Sequence, residues 1–448
     1  MYIKLIQPAM KPRPMDTKMK TRMSPSLALL TLAKLTPKEH KIVIKNENVE
    51  CIDFDEPVDL VAITVTVDVM NRACEIANEF QKRGIKVIAG GTHITSDPEK
   101  CEGKFDSICI GMAERIWHQI LQDVESDRLK PMYFDMEGFR GGEIVSPDYS
   151  KIDRNKYLFT NIVSTSRGCT FCCDFCYNSC EKALGHYVNR PVEDVMQDIQ
   201  SLNTKHILFI DDNFIGDPKY TSALLKVLKP MKLKWNAAVT SNILDMLDLL
   251  DEMRDSGCQS LFIGFESVNP KAIESVHKVQ NRVSKYERLV SEVHKRGIMV
   301  NASFVFGIDE DDVSVFQSTL DWIVKNRIET VTSHILTPYP GTKLHKSFLA
   351  QGRIIDSDLS HYNTAHVVFQ PKGMKVEELF NGYLWIYKKV YSFRNILKRI
   401  PKNKKQVFSY LAFNLLYRKF GKFSEMVCEL LSFHRIGRLA KWIAYKIK

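Results

Sequence analysis

Residues 166–177 read Ser166-Arg-Gly-Cys-Thr-Phe-Cys-Cys-Asp-Phe-Cys-Tyr177, directly after the apolar run Asn161-Ile-Val-Ser-Thr165. Cys169, Cys173 and Cys176 stand there as C-x3-C-x2-C. Three thiolates at that spacing can hold three irons of a cubane cluster and leave the fourth iron to a ligand that is not protein. A zinc ion asks for four protein ligands in a structural site, or three and a water in a catalytic one. Pairing Cys169 and Cys172 with Cys173 and Cys176 would imitate a zinc knuckle, but it packs four ligands into eight residues with two of them adjacent. Cys180 reads as structural.

Downstream of this stretch the chain alternates strand-like and helix-like patterns with a long repeat. Strands are expected at 161–165, 206–210, 233–239, 260–265, 298–305 and 330–335. Helices are expected between them, over 191–203, 220–228, 246–255, 284–296 and 313–326. Six such units predict a partial (β/α)6 barrel over residues 157–350, whose chemistry gathers at the carboxyl ends of the strands. The cysteines follow the first strand. Asp211 and Asp212 follow the second, where two adjacent carboxylates are expensive in a core and ordinary on a rim; the alternative is a helix cap. Glu266 and Ser267 follow the fourth. The two-residue strand period points Asn236, Asn301 and Ser303 inward. Thr337-Pro-Tyr-Pro-Gly-Thr342, after the sixth strand, reads as a turn.

Upstream, residues 1–124 alternate in shorter units: strands at 2–7, 41–45, 59–65, 86–89 and 105–110, with helices at 25–35, 70–83 and 113–124. Gly84 closes the second of these helices as a C-terminal glycine does. The pattern predicts a doubly wound, flavodoxin-like α/β domain, with any ligand beyond the strand carboxyl ends. There lie the loops Pro8–Ser24, Thr66–Asp68, Gly90-Gly-Thr-His93 and Gly111-Met-Ala-Glu114. Residues 125–156 are polar and broken by Pro131, Gly138, Gly141, Gly142 and Pro147, and read as a linker.

At 448 residues with 44% hydrophobic content the chain has material for two or three cores. Five of its 11 cysteines lie between Cys169 and Cys180, and the others are scattered rather than set in a secreted disulfide framework. Met1-Tyr-Ile-Lys-Leu-Ile6 opens like a strand, and no run reaches the roughly 18 apolar residues of a spanning helix. A reducing cytoplasm is the expected location. The net charge of +10 is uneven: residues 388–448 hold sixteen Lys and Arg against Glu425 and Glu429, a net of +14, which leaves the rest at −4. This C-terminal helical region, 351–448, mixes basic and aromatic residues, including the amphipathic stretch Met426–Ile447. It could cover the open side of the barrel, lie on an anionic membrane, or, least favoured, meet RNA.

The cysteine triplet, with Phe175 before its last member and Arg167-Gly168 before its first, resembles the signature of the radical SAM enzymes. The resemblance implies a [4Fe–4S] cluster on Cys169, Cys173 and Cys176 whose open iron binds the amino and carboxylate groups of S-adenosylmethionine. Reductive cleavage then yields a 5′-deoxyadenosyl radical. Phe209-Ile-Asp-Asp-Asn-Phe214 resembles an Asp-Asp-x-Phe variant of the place where this family receives the methionine ammonium, usually with Gly-Gly-Glu. That makes Asp211 or Asp212 the candidate, with Glu266, Ser267 and Phe175 as further cofactor-binding residues. The upstream layout is similar to the cobalamin-binding domain found in one class of these enzymes. Gly90, Gly91, Thr92 and His93 are its closest local match; an Asp-x-His-x-x-Gly stretch, with a histidine for cobalt, is not present.

The chain thus resembles the group that holds hopanoid methylases and the magnesium-protoporphyrin cyclase. Membership implies cobalamin-dependent methylation of an unactivated carbon on a lipid-like or other hydrophobic substrate, and an electron donor such as flavodoxin or ferredoxin. A radical cyclisation or rearrangement without methyl transfer is the alternative within enzymes, and a zinc-bearing RNA-binding protein the alternative outside them. A tRNA methylthiotransferase would need a second cysteine cluster near the N-terminus, whereas Cys51, Cys74, Cys101 and Cys109 are dispersed.

Overall fold

The structure is a computed structural model that describes residues 1–135, 140–180 and 187–431. Two six-stranded sheets dominate it, and within each every paired strand runs parallel. The first contains β1 (Tyr2–Gln7), β2 (Lys41–Asn46), β3 (Leu60–Thr64), β4 (Lys86–Gly90), β5 (Ser107–Ile110) and β6 (Met132–Phe134), in the order β2-β1-β3-β4-β5-β6. Its first five strands follow the flavodoxin-like order. Strand residues such as Leu60, Val61, Ala62 and Ile63 are all buried, because helices cover both faces of a parallel sheet.

The expected end of this domain at residue 124 is too early. Strand β6 pairs with β5, Ile108 opposite Met132, so the sheet runs into the stretch read as linker. Three residues after Pro131 are too few to show a strand period, and the pairing comes from the neighbouring edge rather than from local sequence.

The second sheet comprises β7 (Ile162–Val163), β10 (His206–Phe209), β11 (Lys234–Val239), β12 (Cys258–Glu266), β13 (Met299–Phe306) and β14 (Thr330–Ile335). Between β7 and β10 lie two short strands, β8 (Ser166–Arg167) and β9 (Val188–Asn189), which pair with each other antiparallel. The order β14-β13-β12-β11-β10-β7 leaves β7 and β14 unpaired with one another, so the barrel is open as expected. Inside it, Asn161, His206, Asn236 and Ser260 form a polar chain across the first four strands, with contacts of 3.0, 2.8 and 2.7 Å.

An open barrel exposes the backbone of β14 as a sheet edge. The helix Val376–Val390 covers it. The Tyr391 hydroxyl donates to the Val331 carbonyl at 2.6 Å and accepts from the Val331 amide at 3.1 Å. The Tyr387 hydroxyl does the same at Ser333, with both distances 3.2 Å. Further along, the buried Arg399 guanidinium donates to the carbonyls of Ile328 and Val390, and Asn414 donates to that of Glu329. The C-terminal region therefore closes the barrel's open side, the first of the three roles its sequence allowed. Of the amphipathic stretch Met426–Ile447, residues beyond 431 lie outside the described residues. Replacing Tyr391 by Phe leaves both polar groups of Val331 buried and unsatisfied. The expected loss is about 1–3 kcal/mol, read as a lower thermal midpoint with unchanged circular dichroism.

Candidate active site where the two sheets meet

The cysteine loop is built from its ends inward. Its entry, Thr165-Ser166, is held by Asp211: one carboxylate oxygen accepts from the Thr165 amide (2.8 Å), the Thr165 hydroxyl (3.0 Å), the Ser166 amide (2.6 Å) and the Ser166 hydroxyl (2.6 Å). Its exit is held by Arg190, which donates to the Ser164 carbonyl at 2.7 Å and to Ser146 at 2.9 Å, and pairs with buried Asp198 at 2.8 Å. The β8–β9 pairing closes the loop between these two braces. Within it the Cys176 amide donates to the Cys173 carbonyl at 2.9 Å.

Cys169, Cys173 and Cys176 form no disulfide and lie within electrostatic reach of one another. Burial raises all three thiols, Cys176 to about 12, so a metal has to displace their protons as it binds. Gln280 donates to the Cys173 sulfur at 3.5 Å. Cys172 is exposed and Cys180 buried. Among the described residues no three of His, Cys, Asp and Glu are gathered closely enough to hold one metal ion. A cubane makes a different demand, one thiolate to each iron, and three neighbouring thiols on one braced loop fit it.

The two adjacent aspartates separate into different roles. Asp211 is enclosed and spent on the loop; burial raises its carboxyl despite the four donors. Asp212 opens to solvent, yet enough protein surrounds it to raise its carboxyl, with an Asn178 hydrogen bond opposing that rise. Its charge is felt at Cys169, Cys176 and Tyr177. Asp212 is therefore the carboxylate that faces the cysteine loop, and Asp211 positions it.

Glu266 sits at a register shift between β12 and β13 with a left-handed backbone, φ +63°. Its buried carboxylate pairs with buried Lys278, whose ammonium lies 6.0 Å from the centre of the Phe175 ring and beside Cys173. The sequence reading missed Lys278, because a lysine twelve residues beyond a strand end carries no signature. Ser267 turns away from the cysteines. Its hydroxyl donates to Asp311 at 3.3 Å and accepts from the Asn269 amide at 3.1 Å.

Asp311, 1% exposed, has its carboxyl pushed up to about 7 by burial, against the hydroxyl of Ser267 and Asn269. Between the ordinary carboxylate range and 7 the unfolded chain is ionised at this position while the folded one holds its proton. The stability contributed by the proton is thus complete in acid and lost as pH rises to 7. Asp311→Asn is expected to gain on the wild type as pH rises from 5 to 8, read as a widening difference in thermal midpoint.

The two sheets meet through this loop. Arg167 pairs with Glu114 at 2.6 Å and donates to the Met112 sulfur at 2.8 Å, both in the Gly111–Glu114 loop after β5. Gly341, φ +88°, brings the Thr337–Thr342 turn so close to Ser96 that a Cβ would collide with its carbonyl. Between the sheets is a cavity of about 310 Å³. It is bounded by the ends of β3, β4 and β5 (Thr64, Gly90, Cys109), by Ile144, Val145 and Pro147 of the linker stretch, and by Ser164, Arg167 and Ile210 of the barrel.

Gly90 and Gly91 line this cavity. Gly91, φ +115°, lets the chain turn back on β3, where a Cβ would come within 2.8 Å of the Val65 carbonyl. Thr92 and His93 are not among the lining residues. The His93 ring is buried, which lowers it to about 4 and keeps it neutral. The Gly-Gly-Thr-His match thus supplies its glycines to the cavity and its histidine to packing.

Residues 163–323 match the radical SAM superfamily, and residues 342–412 match a domain of unknown function, DUF4070. Residues 163–323 are thus a radical SAM domain, of a family that uses S-adenosylmethionine. It is 29% identical to two methyltransferases of Chlorobaculum tepidum. One, bacteriochlorophyllide d C-8(2)-methyltransferase, matches over 91% of this chain and 93% of its own. The other, bacteriochlorophyllide d C-12(1)-methyltransferase, matches over 84% of each. The hopanoid methylase and the magnesium-protoporphyrin cyclase of the expected group are also relatives. The fold matches that of TsrM of Kitasatospora setae, a radical SAM methyltransferase solved with cobalamin and a [4Fe–4S] cluster bound, at a TM-score of 0.61, 17% identity and 78% coverage of each chain.

Proposed function

We propose that the protein is a cobalamin-dependent radical SAM methyltransferase that adds a methyl group to an unactivated carbon of a large hydrophobic substrate. The observation that carries this reading is the inter-sheet cavity. It lies at the carboxyl ends of β3–β5, where a doubly wound sheet binds its ligand, and opens toward the loop that presents the cysteines. Its mostly apolar wall suits the apolar end of a cofactor of cobalamin's size, with the remainder across the opening between the sheets. Gly90, Gly91 and Gly111 allow backbone approach there.

When bound, the cluster supplies the electron that cleaves S-adenosylmethionine and cobalamin supplies a transferable methyl group. The chain's own residues bind and orient. Asp212 accepts the methionine ammonium, Lys278 with Glu266 and Phe175 frames the neighbouring side of the cluster loop, and Arg167 fixes that loop against the Gly111–Glu114 turn. Asp211 and Arg190 hold its ends. A tetrapyrrole is the first substrate class to assay, because the two relatives at 29% identity are both named for bacteriochlorophyllide d.

The test is anaerobic reconstitution with iron, sulfide and hydroxocobalamin, followed by turnover of bacteriochlorophyllide d with S-adenosylmethionine and a low-potential reductant such as dithionite or reduced flavodoxin. The reading expects a brown protein that retains cobalamin on gel filtration, and formation of both 5′-deoxyadenosine and S-adenosylhomocysteine. Deoxyadenosine without S-adenosylhomocysteine would move the protein to radical cyclisation or rearrangement. A colourless zinc protein would end the reading altogether.

A further inference from the structure

The helices that follow the barrel cap leave large apolar side chains uncovered. In the helix Phe393–Lys398, Phe393 is 53% and Leu397 63% exposed, one turn apart on the same side. The Phe420 ring lies 5.9 Å from that of Phe393 and precedes the helix Gly421–Leu431. In that helix Phe423 is 62% and Leu430 77% exposed. At 3.6 residues per turn Phe423, Met426 and Leu430 fall on one side. Exposed apolar residues scattered singly need no explanation, but a contiguous patch does.

The charge around the patch decides what it fits. From Lys388 to Leu431 the described chain carries eleven Lys and Arg against Glu425 and Glu429, and Arg394, Lys398, Lys404, Lys405, Lys419 and Lys422 are exposed. The Lys419 ammonium lies 5.4 Å from the centre of the Phe393 ring, so cation and apolar surface alternate at close range. No helix among the described residues is long and apolar enough to cross a membrane. Short helices with aromatic and aliphatic side chains on one side and lysines along the border lie in the plane of a bilayer, with the apolar side in the acyl region and the cations at anionic headgroups.

We infer that residues 393–431 form a docking surface for an anionic lipid bilayer. The surface is separate from the cysteine loop and does not depend on which substrate the enzyme methylates. It would hold the enzyme where water-insoluble molecules reside.

The test uses the full-length protein and vesicle flotation. Vesicles of phosphatidylcholine alone are compared with vesicles carrying about one-third phosphatidylglycerol, at low and high salt. The protein is expected to float with the anionic vesicles at least about tenfold more than with the neutral ones, and to be released by salt. A triple variant, Phe393→Ser/Phe423→Ser/Leu430→Ser, is expected to lose flotation while keeping its cluster content and deoxyadenosine formation, since all three side chains face solvent. A charge variant, Lys398→Gln/Lys419→Gln/Lys422→Gln, keeps the apolar side chains and should lose most of the preference for anionic lipid. Wild type that ignores both vesicles overturns the proposal. So does a triple variant that floats unchanged, or a wild type whose patch instead forms a concentration-dependent dimer that the triple variant abolishes.

Discussion

Cys173→Ala is expected to abolish cluster assembly and with it the cleavage of S-adenosylmethionine. Loss of a hydrogen-bond partner to a metal ligand typically costs about 10–100-fold in metal affinity, and loss of the ligand itself removes the bond that such partners only tune. The reconstituted variant should show iron and sulfide near background, no broad absorption near 400 nm, and deoxyadenosine formation reduced by more than about 100-fold. Cys173 is the most informative of the three because it is buried and has the Gln280 amide at its sulfur; an alanine there creates little surface disturbance that could mimic cluster loss. The matching control is Cys172→Ala, one residue away and exposed. It should keep full iron and full activity. If Cys172→Ala lost metal as Cys173→Ala does, the four-cysteine zinc pairing would replace the cubane reading.

The elements that could be read in advance share one property: their signal is local. Eleven strands of the two sheets appear where apolar runs and two-residue periods place them, because a parallel strand buried on both faces must be apolar through its length. The cysteine loop was legible for the same reason, since its ligands lie within eight residues. What the sequence did not display depends on partners far along the chain. Strand β6 exists because β5 offers an edge, and β8 and β9 are two residues each, some twenty residues apart. Tyr387 and Tyr391 have the spacing of any aromatic helix face, and only the open edge of β14 turns their hydroxyls into backbone partners. Lys278 acquires meaning only once Glu266, twelve residues earlier, folds back on it. The Gly90–His93 match shows the converse: its two glycines line the cavity, while the two residues beyond them, Thr92 and His93, do not.

Asp211 and Asp212 supply the sharper experiment, because adjacent residues of one type should respond in opposite ways. Asp211→Ala removes the acceptor of four donors and leaves the amides and hydroxyls of Thr165 and Ser166 inside the protein without it. Each buried donor left unpaired costs about 1–3 kcal/mol, while release of a carboxylate whose burial already raises its pKa offsets part of that. A net loss of about 2–4 kcal/mol is expected, seen as a fall in thermal midpoint at neutral pH together with poorer cluster loading, since the entry to the cysteine loop loses its brace. Asp212→Asn touches none of this: the side chain is open to solvent, and its removal should leave the midpoint unchanged. Its cost falls on the methionine ammonium. A charge-assisted hydrogen bond is worth about 1.5–3 kcal/mol, so the apparent KM for S-adenosylmethionine should rise at least about tenfold, with iron content intact. The two readouts separate positioning from binding. A stable Asp211→Ala protein with weak S-adenosylmethionine binding, beside an Asp212→Asn protein that unfolds early, would reverse the assignment, because no arrangement in which Asp211 braces the loop could produce it.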